Sequence, residues 1–147
     1  MELTRELTVD VSRAKVFAFF ADAGNLERIT PPELKFHILT PRPIAMHPGA
    51  LIDYELSLFG VRFKWRTEIT EWQPDTHFVD VQIRGPYAEW IHTHTFEDVA
   101  GGTRIRDHVQ YRLPLAPVGN IALPIVRAQL RRIFDYREAV TRQLMTK

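Results

Sequence analysis

The sequence predicts an α+β domain, and three observations carry that expectation. A long central stretch alternates on a period of two, turn residues cut it into consecutive strands, and one continuous helical stripe closes the chain. The alternation is plainest between Trp90 and Leu113. Trp90, His92, His94 and Phe96 share one parity. Beyond them Ile105, Asp107, Val109, Tyr111 and Leu113 share another, with Arg104, Arg106, His108, Gln110 and Arg112 on the opposite side. Side chains leave a strand on alternate faces, so the face carrying three arginines is the outer one. The inner face then mixes aromatic and aliphatic groups with an Asp, a Tyr and two His. Buried polar groups cost free energy unless they are paired, so the mixture points to a lined cavity for a partly polar small molecule.

The elements follow in order. Glu2 to Val9 alternates Leu3, Leu7 and Val9 with polar residues and is expected as the first strand. Asp10 or Ser12 can cap a short helix, Arg13 to Ala21, whose Val16, Phe17, Phe19 and Phe20 share one broad face. A second short helix near Ala23 to Arg28 is stopped by Thr30-Pro31-Pro32, because proline restricts the residue before it. Phe36 and Ile38 read as a short strand entering the rigid Pro41-Arg42-Pro43 loop. Ile52, Tyr54, Leu56 and Leu58 make one face of the next strand, Phe59-Gly60 the turn, and Phe63, Trp65, Thr67 and Ile69 the returning face. Pro74-Asp75, Gly85-Pro86 and Gly101-Gly102 close the later strands, which implies an antiparallel meander. In the strand Phe78 to Arg84 two faces compete for the interior: Phe78, Asp80 and Gln82, or Val79, Val81 and Ile83. After Pro114 and Pro117 a long helix starts at Ile121 or Pro124 and runs to Met145. Its stripe is Val126, Leu130, Ile133, Phe134, Val140 and Leu144.

Bulk properties exclude several classes. At 147 residues the chain is expected to be one domain, residues 1–147, with a real core. A formal net charge of +1 gives no support for a nucleic-acid or membrane-surface role. Cysteine is absent, which removes disulfides, thiol nucleophiles and thiolate metal sites. There is no apolar run long enough to span a bilayer and no signal-peptide pattern at Met1, so a cytoplasmic location is expected.

The order of elements resembles the helix-grip fold of the START-like superfamily, also called SRPBCC, which includes polyketide cyclases and dehydrases. The resemblance spans nearly the whole chain. It is carried by Asn25-Leu26, Ile29-Thr30-Pro31-Pro32, Gly49 with Tyr54-Glu55-Leu56, Gly85-Pro86 with Trp90, His92 and His94, then Asp107 to Tyr111 and Phe134 to Arg137. It implies a curved antiparallel sheet wrapped around the long C-terminal helix. A hydrophobic cavity between them would bind a lipid, quinone, polyketide or aromatic ligand without a cofactor. A shared fold does not fix the reaction.

Tyr54, Trp65, Trp90, His92, His94, Asp107, Tyr111 and Arg137 are the expected ligand-binding residues, around an enclosed cavity of ~300–1,000 Å³. His92 and His94 leave one face of a strand. They could supply two metal ligands, with Asp107 or Asp80 as a third, or act as hydrogen-bonded wall residues, and the latter is the expectation: no metal. His92, His94 and Asp107 are also the catalytic candidates. A His–Asp pair could be the general base of a cofactor-independent cyclase or dehydratase, with Tyr111 or Arg137 polarising a carbonyl. Arg137 lies seven residues after Leu130 and seven before Leu144, where it could pair with Asp107, clamp an anionic ligand, or snorkel to the stripe's edge. A third class, a partner-binding module, would use the long helix or the loop from Pro31 to Pro48.

Overall fold

The computed structural model describes residues 1–115 and 118–145; Pro117, expected to precede the last helix, lies outside the described residues. Seven strands form one antiparallel sheet: β1 (Glu2–Val9), β2 (His37–Ile38), β3 (Leu51–Leu58), β4 (Val61–Gln73), β5 (His77–Arg84), β6 (Glu89–Val99) and β7 (Gly102–Arg112). The spatial order is β1-β7-β6-β5-β4-β3-β2. Between β1 and β2 lie α1 (Arg13–Ala21), α2 (Asn25–Arg28) and a 3-10 turn at Pro32–Leu34. After β7, a 3-10 segment, Val118–Ala122, leads into α3 (Leu123–Leu144).

Local chemistry accounts for the connections. Phe59 and Gly60, both at positive φ (53° and 78°), form the two-residue turn between β3 and β4, where this backbone twist matches the strands it joins. At Gly102 φ is 138°, and an added Cβ would strike the Val9 carbonyl of the neighbouring strand, so only glycine fits the start of β7. The helix α3 starts two residues later than the earlier of its two expected starts, because the chain first winds as a 3-10 segment, and Pro124 then sits in the first turn, where its missing N–H costs nothing.

Strand parity on β6 and β7 is as expected, with Trp90, His92, His94, Phe96, Ile105, Asp107, Val109 and Tyr111 all buried. On β5 the competition falls to Phe78 and Asp80, which face inward; Ile83 is exposed. Gln82 turns back instead, donating through Nε2 to the Tyr87 carbonyl at 2.7 Å and accepting from the Tyr87 N–H at 3.1 Å. β4 runs to Gln73, where Pro74-Asp75 closes it as expected. A register shift between Ile69 and Glu71 flips its alternation there, so Trp72 packs inward against Phe17 and Phe78.

One side chain of the predicted helical stripe is corrected. The buried line of α3 runs through Val126, Leu130, Phe134, Arg137 and Thr141. Leu144 lies on the same side of the helix, seven residues after Arg137, but as the last residue of α3 it is 37% exposed, while Met145 just beyond it packs on the core. Burying each large apolar side chain on this line contributes about 1.5–3 kcal/mol, which holds α3 across the sheet. The buried interior divides into two apolar clusters, one around Phe17, Ile69, Phe78 and Phe96, the other around Trp65, Trp90, Val109, Leu130 and Phe134.

Candidate ligand-binding site

A cavity of about 170 Å³ lies between these clusters, walled by residues from both. The sheet contributes Ile52, Tyr54, Leu56, Leu58, Trp65, Thr67, Ile69, Phe78, Asp80, Trp90, His92 and His94. From α3 come Leu130, Ile133, Phe134 and Arg137, and from the segment between β1 and β3 come Phe19, Phe20, Leu26, Ile29, Leu34, Phe36 and Met46, among others. The volume is smaller than the sequence expectation, because the aromatic rings of α1 and the segment around Leu34 and Phe36 project into space that the sheet and α3 alone would leave open.

The polar part of the wall is a buried, mutually paired cluster. His92 Nε2 lies 2.8 Å from Asp107 Oδ1, and His94 Nε2 lies 2.6 Å from Asp80 Oδ2. The other nitrogen of His94, Nδ1, is 3.4 Å from Asp107 Oδ1. The two imidazoles stack with centroids 3.7 Å apart, and Phe78 stacks on His94 from the other side at 4.1 Å. An arginine Nη2 donates to Asp107 Oδ1 at 3.5 Å; this is Arg137, whose guanidinium also lies 5.3 Å from the Phe20 ring centroid and 5.8 Å from that of Phe134. Arg137 is 9% exposed, so it does not snorkel to the edge of the stripe.

Each charge has a physical cause. Burial resists charging His94, but hydrogen bonds to Asp107 and Asp80 and their negative charges outweigh it, raising its pKa. Burial also works against an ionised Asp107, yet the charge of Arg137 and the bonds to both imidazoles hold its carboxyl well below the usual range. Asp80 is shifted the same way, chiefly by the His94 bond acting against burial. His92 goes the other way: burial, then repulsion from His94, lowers it to about 4, against weaker pulls from Asp107 and Asp80. Two carboxylates, Asp80 and Asp107, thus face the guanidinium of Arg137 and two imidazoles, of which they favour the protonated form of His94 while His92 stays neutral.

Sequence-predicted site residues are distributed unevenly. Tyr54, Trp65, Trp90, His92, His94 and Arg137 stand on the cavity wall. Asp107 lies behind the wall. It pairs across the ladder with His94, and its short side chain ends beneath the two imidazoles. Tyr111, paired with Trp90, packs among Tyr87 and Trp90 and is absent from the cavity lining. Asp80 was visible only as one of two alternatives, and the α1 rings Phe19 and Phe20 only as an apolar face. His37 and His47 are exposed, while His77 and His108 pair with Glu71 and Glu2 at the surface.

The ligand atoms of Asp80, His92 and His94 also lie within 4.8 Å of one another. Two imidazoles and a carboxylate are a donor set suited to zinc or iron. In this arrangement His94 Nε2 is already hydrogen-bonded to Asp80, and His92 is held by Asp107. A metal ion would have to displace both interactions next to the Arg137 charge. No helix among the described residues is long and apolar enough to cross a membrane.

A curved antiparallel sheet gripping one long C-terminal helix defines the helix-grip class, and solved structures share it. A protein from Thermus thermophilus, TTHA0849, matches with a TM-score of 0.76 at 15% identity, over 99% of this chain and 100% of that one. A START superfamily protein from Mycobacterium smegmatis matches with a TM-score of 0.71 at 13% identity, over 97% of this chain and 98% of that one. A nucleoside-diphosphate sugar epimerase from Corynebacterium glutamicum matches at 26% identity with a TM-score of 0.68, over 96% of this chain but only 28% of that one. Among curated proteins none matches. The family profile for polyketide cyclase / dehydrase and lipid transport matches residues 1–142, and the chain belongs to that START-like family.

Proposed function

We propose that the protein binds a small hydrophobic molecule with one polar group in the cavity between the sheet and α3. The observation that supports it most is the pairing of a largely apolar cavity wall with a buried, mutually hydrogen-bonded cluster of His92, His94, Asp80, Asp107 and Arg137. A structural core would gain more from apolar residues of similar volume, since desolvating paired charges is often no better than neutral for stability. Mass spectrometry of the freshly purified protein, native and then denatured, tests the proposal. A defined hydrophobic compound that disappears in Arg137→Met and His92→Phe is expected. A protein that neither carries a ligand nor takes one up from a panel of lipids, quinones and aromatics would sink it.

A cofactor-independent cyclase or dehydratase is the second reading, favoured by the His92–Asp107 contact at the cavity wall. A base with a pKa of about 4 is poorly matched to removing a proton from carbon at neutral pH, which is why binding is placed first. Turnover of a polyketide-type substrate, lost in both His92→Phe and Asp107→Asn, would reverse that order. For a partner-binding module the relevant feature is the exposed run of Leu115, Ile121 and Ile125 leading into α3.

A further inference from the structure

The two nitrogens of His92 are not equivalent, and the difference bears on which polar group the cavity accepts. Asp107, ionised beside Arg137, can only accept hydrogen bonds, so the His92 nitrogen facing it at 2.8 Å, Nε2, carries the proton. Nδ1 of the neutral ring is therefore a bare lone pair. It has no hydrogen-bond partner among the described residues, yet it is not one of the sealed, unpartnered polar atoms, which are Trp65 Nε1 and Thr141 Oγ1. The open space against which His92 lies is the cavity it lines. Charged ligands are disfavoured by what already stands there: a carboxylate would bring a further negative charge beside Asp80 and Asp107, and a cation a further positive charge beside Arg137. Size narrows the choice further, because apolar cavities of about 150 Å³ hold a benzene-sized guest and this one is about 170 Å³.

Taking the binding function proposed above as its basis, we infer that the cavity selects a neutral hydroxyl-bearing ligand of single-ring size, of the phenol class, whose O–H donates to His92 Nδ1. The apolar wall covers the ring, and the Asp107 carboxylate orients His92 so that its lone pair meets the hydroxyl. Asp107 is a positioning residue, since it touches His92 and not the ligand.

The test compares 4-methylphenol, 4-methylanisole and benzoate in NMR titrations of the full chain. Methylation removes the donor while keeping the ring, so 4-methylphenol is expected to bind about fivefold to tenfold more tightly than 4-methylanisole. Benzoate should be weaker than both. In ¹⁵N-histidine spectra the unprotonated His92 Nδ1 resonance should move with 4-methylphenol and stay put with 4-methylanisole, a readout that needs no mutant. In His92→Phe the preference should vanish while 4-methylanisole still binds. Equal affinities for the phenol and its ether, or tighter binding of benzoate, would overturn the hydroxyl assignment while leaving the cavity a binding site. Failure of all three to bind would overturn the assignment and count against the binding function itself.

Discussion

Replacing Arg137 with methionine keeps a long apolar stem on the buried line of α3 but removes the cation that faces Asp107. The guanidinium Nη2 lies 3.5 Å from Asp107 Oδ1, and both side chains are close to fully buried. At that separation two unit charges attract by about 5 kcal/mol at an effective dielectric of about 20. Stripping one partner from a buried pair typically costs about 3–5 kcal/mol, because the other charge stays desolvated. The two figures agree, so Arg137→Met is expected to lose about 3–5 kcal/mol in urea denaturation followed by tryptophan fluorescence. The deficit should also depend on pH in a defined direction. In the native protein Asp107 has a depressed pKa, so its contribution is present above the unfolded carboxylate value and is lost as pH falls through the folded one. Without Arg137 the folded pKa of Asp107 rises, so the deficit is full at about pH 7 and narrows as the pH falls from the variant's folded value towards the depressed native one. A loss below about 1 kcal/mol at neutral pH, or a larger loss unchanged by pH, would refute the reasoning that places this charge in the centre of the cluster.

His92 gives a separate pH signature. Its folded pKa is about 4 against 6.5, so the unfolded chain binds the extra proton between those values, and stability should fall by about 3 kcal/mol from pH 6.5 to 4 in a series of urea titrations. That acid-side slope should be missing in His92→Phe. His94 acts on the alkaline side: its raised pKa gives a contribution fully present below pH 6.5 and lost as pH rises through the folded value, a decline that His94→Phe should remove. Gly102→Ala, which drives a Cβ into the Val9 carbonyl, should lower the thermal midpoint by several degrees, whereas Gly101→Ala, with open space around its Cβ position, should cost less. Leu56→Phe fills part of the cavity and should abolish uptake of 4-methylphenol, with circular dichroism unchanged.

The legibility of the site followed the regularity of its strands. β6 and β7 are paired without a register shift from Glu89 to Val99, so simple alternation placed His92, His94 and Asp107 on one face. The position of Arg137 was legible from helical spacing alone. β5 was not, because both of its faces carry apolar side chains. What decides it is the pairing of Asp80 with His92 across the ladder, a long-range relation that no local pattern encodes. The inward turn of Trp72 was hidden for a related reason, since the shift after Ile69 breaks the period of two. Side-chain length explains Asp107: parity put it on the inner face, but the cavity is reached by the longer imidazoles above it. The cavity volume depends on how far Phe19, Phe20 and Phe36 reach inward, which hydrophobic pattern alone does not specify.

The most direct test of a ligand cavity between sheet and helix is a set of intermolecular NOEs between bound 4-methylphenol and labelled methyl groups of the protein. Contacts are expected to Ile52, Leu56, Leu130 and Ile133, which converge on the cavity from opposite sides. Contacts confined to exposed methyls such as those of Ile121 and Ile125, with none to these four, would contradict a cavity-bound ligand.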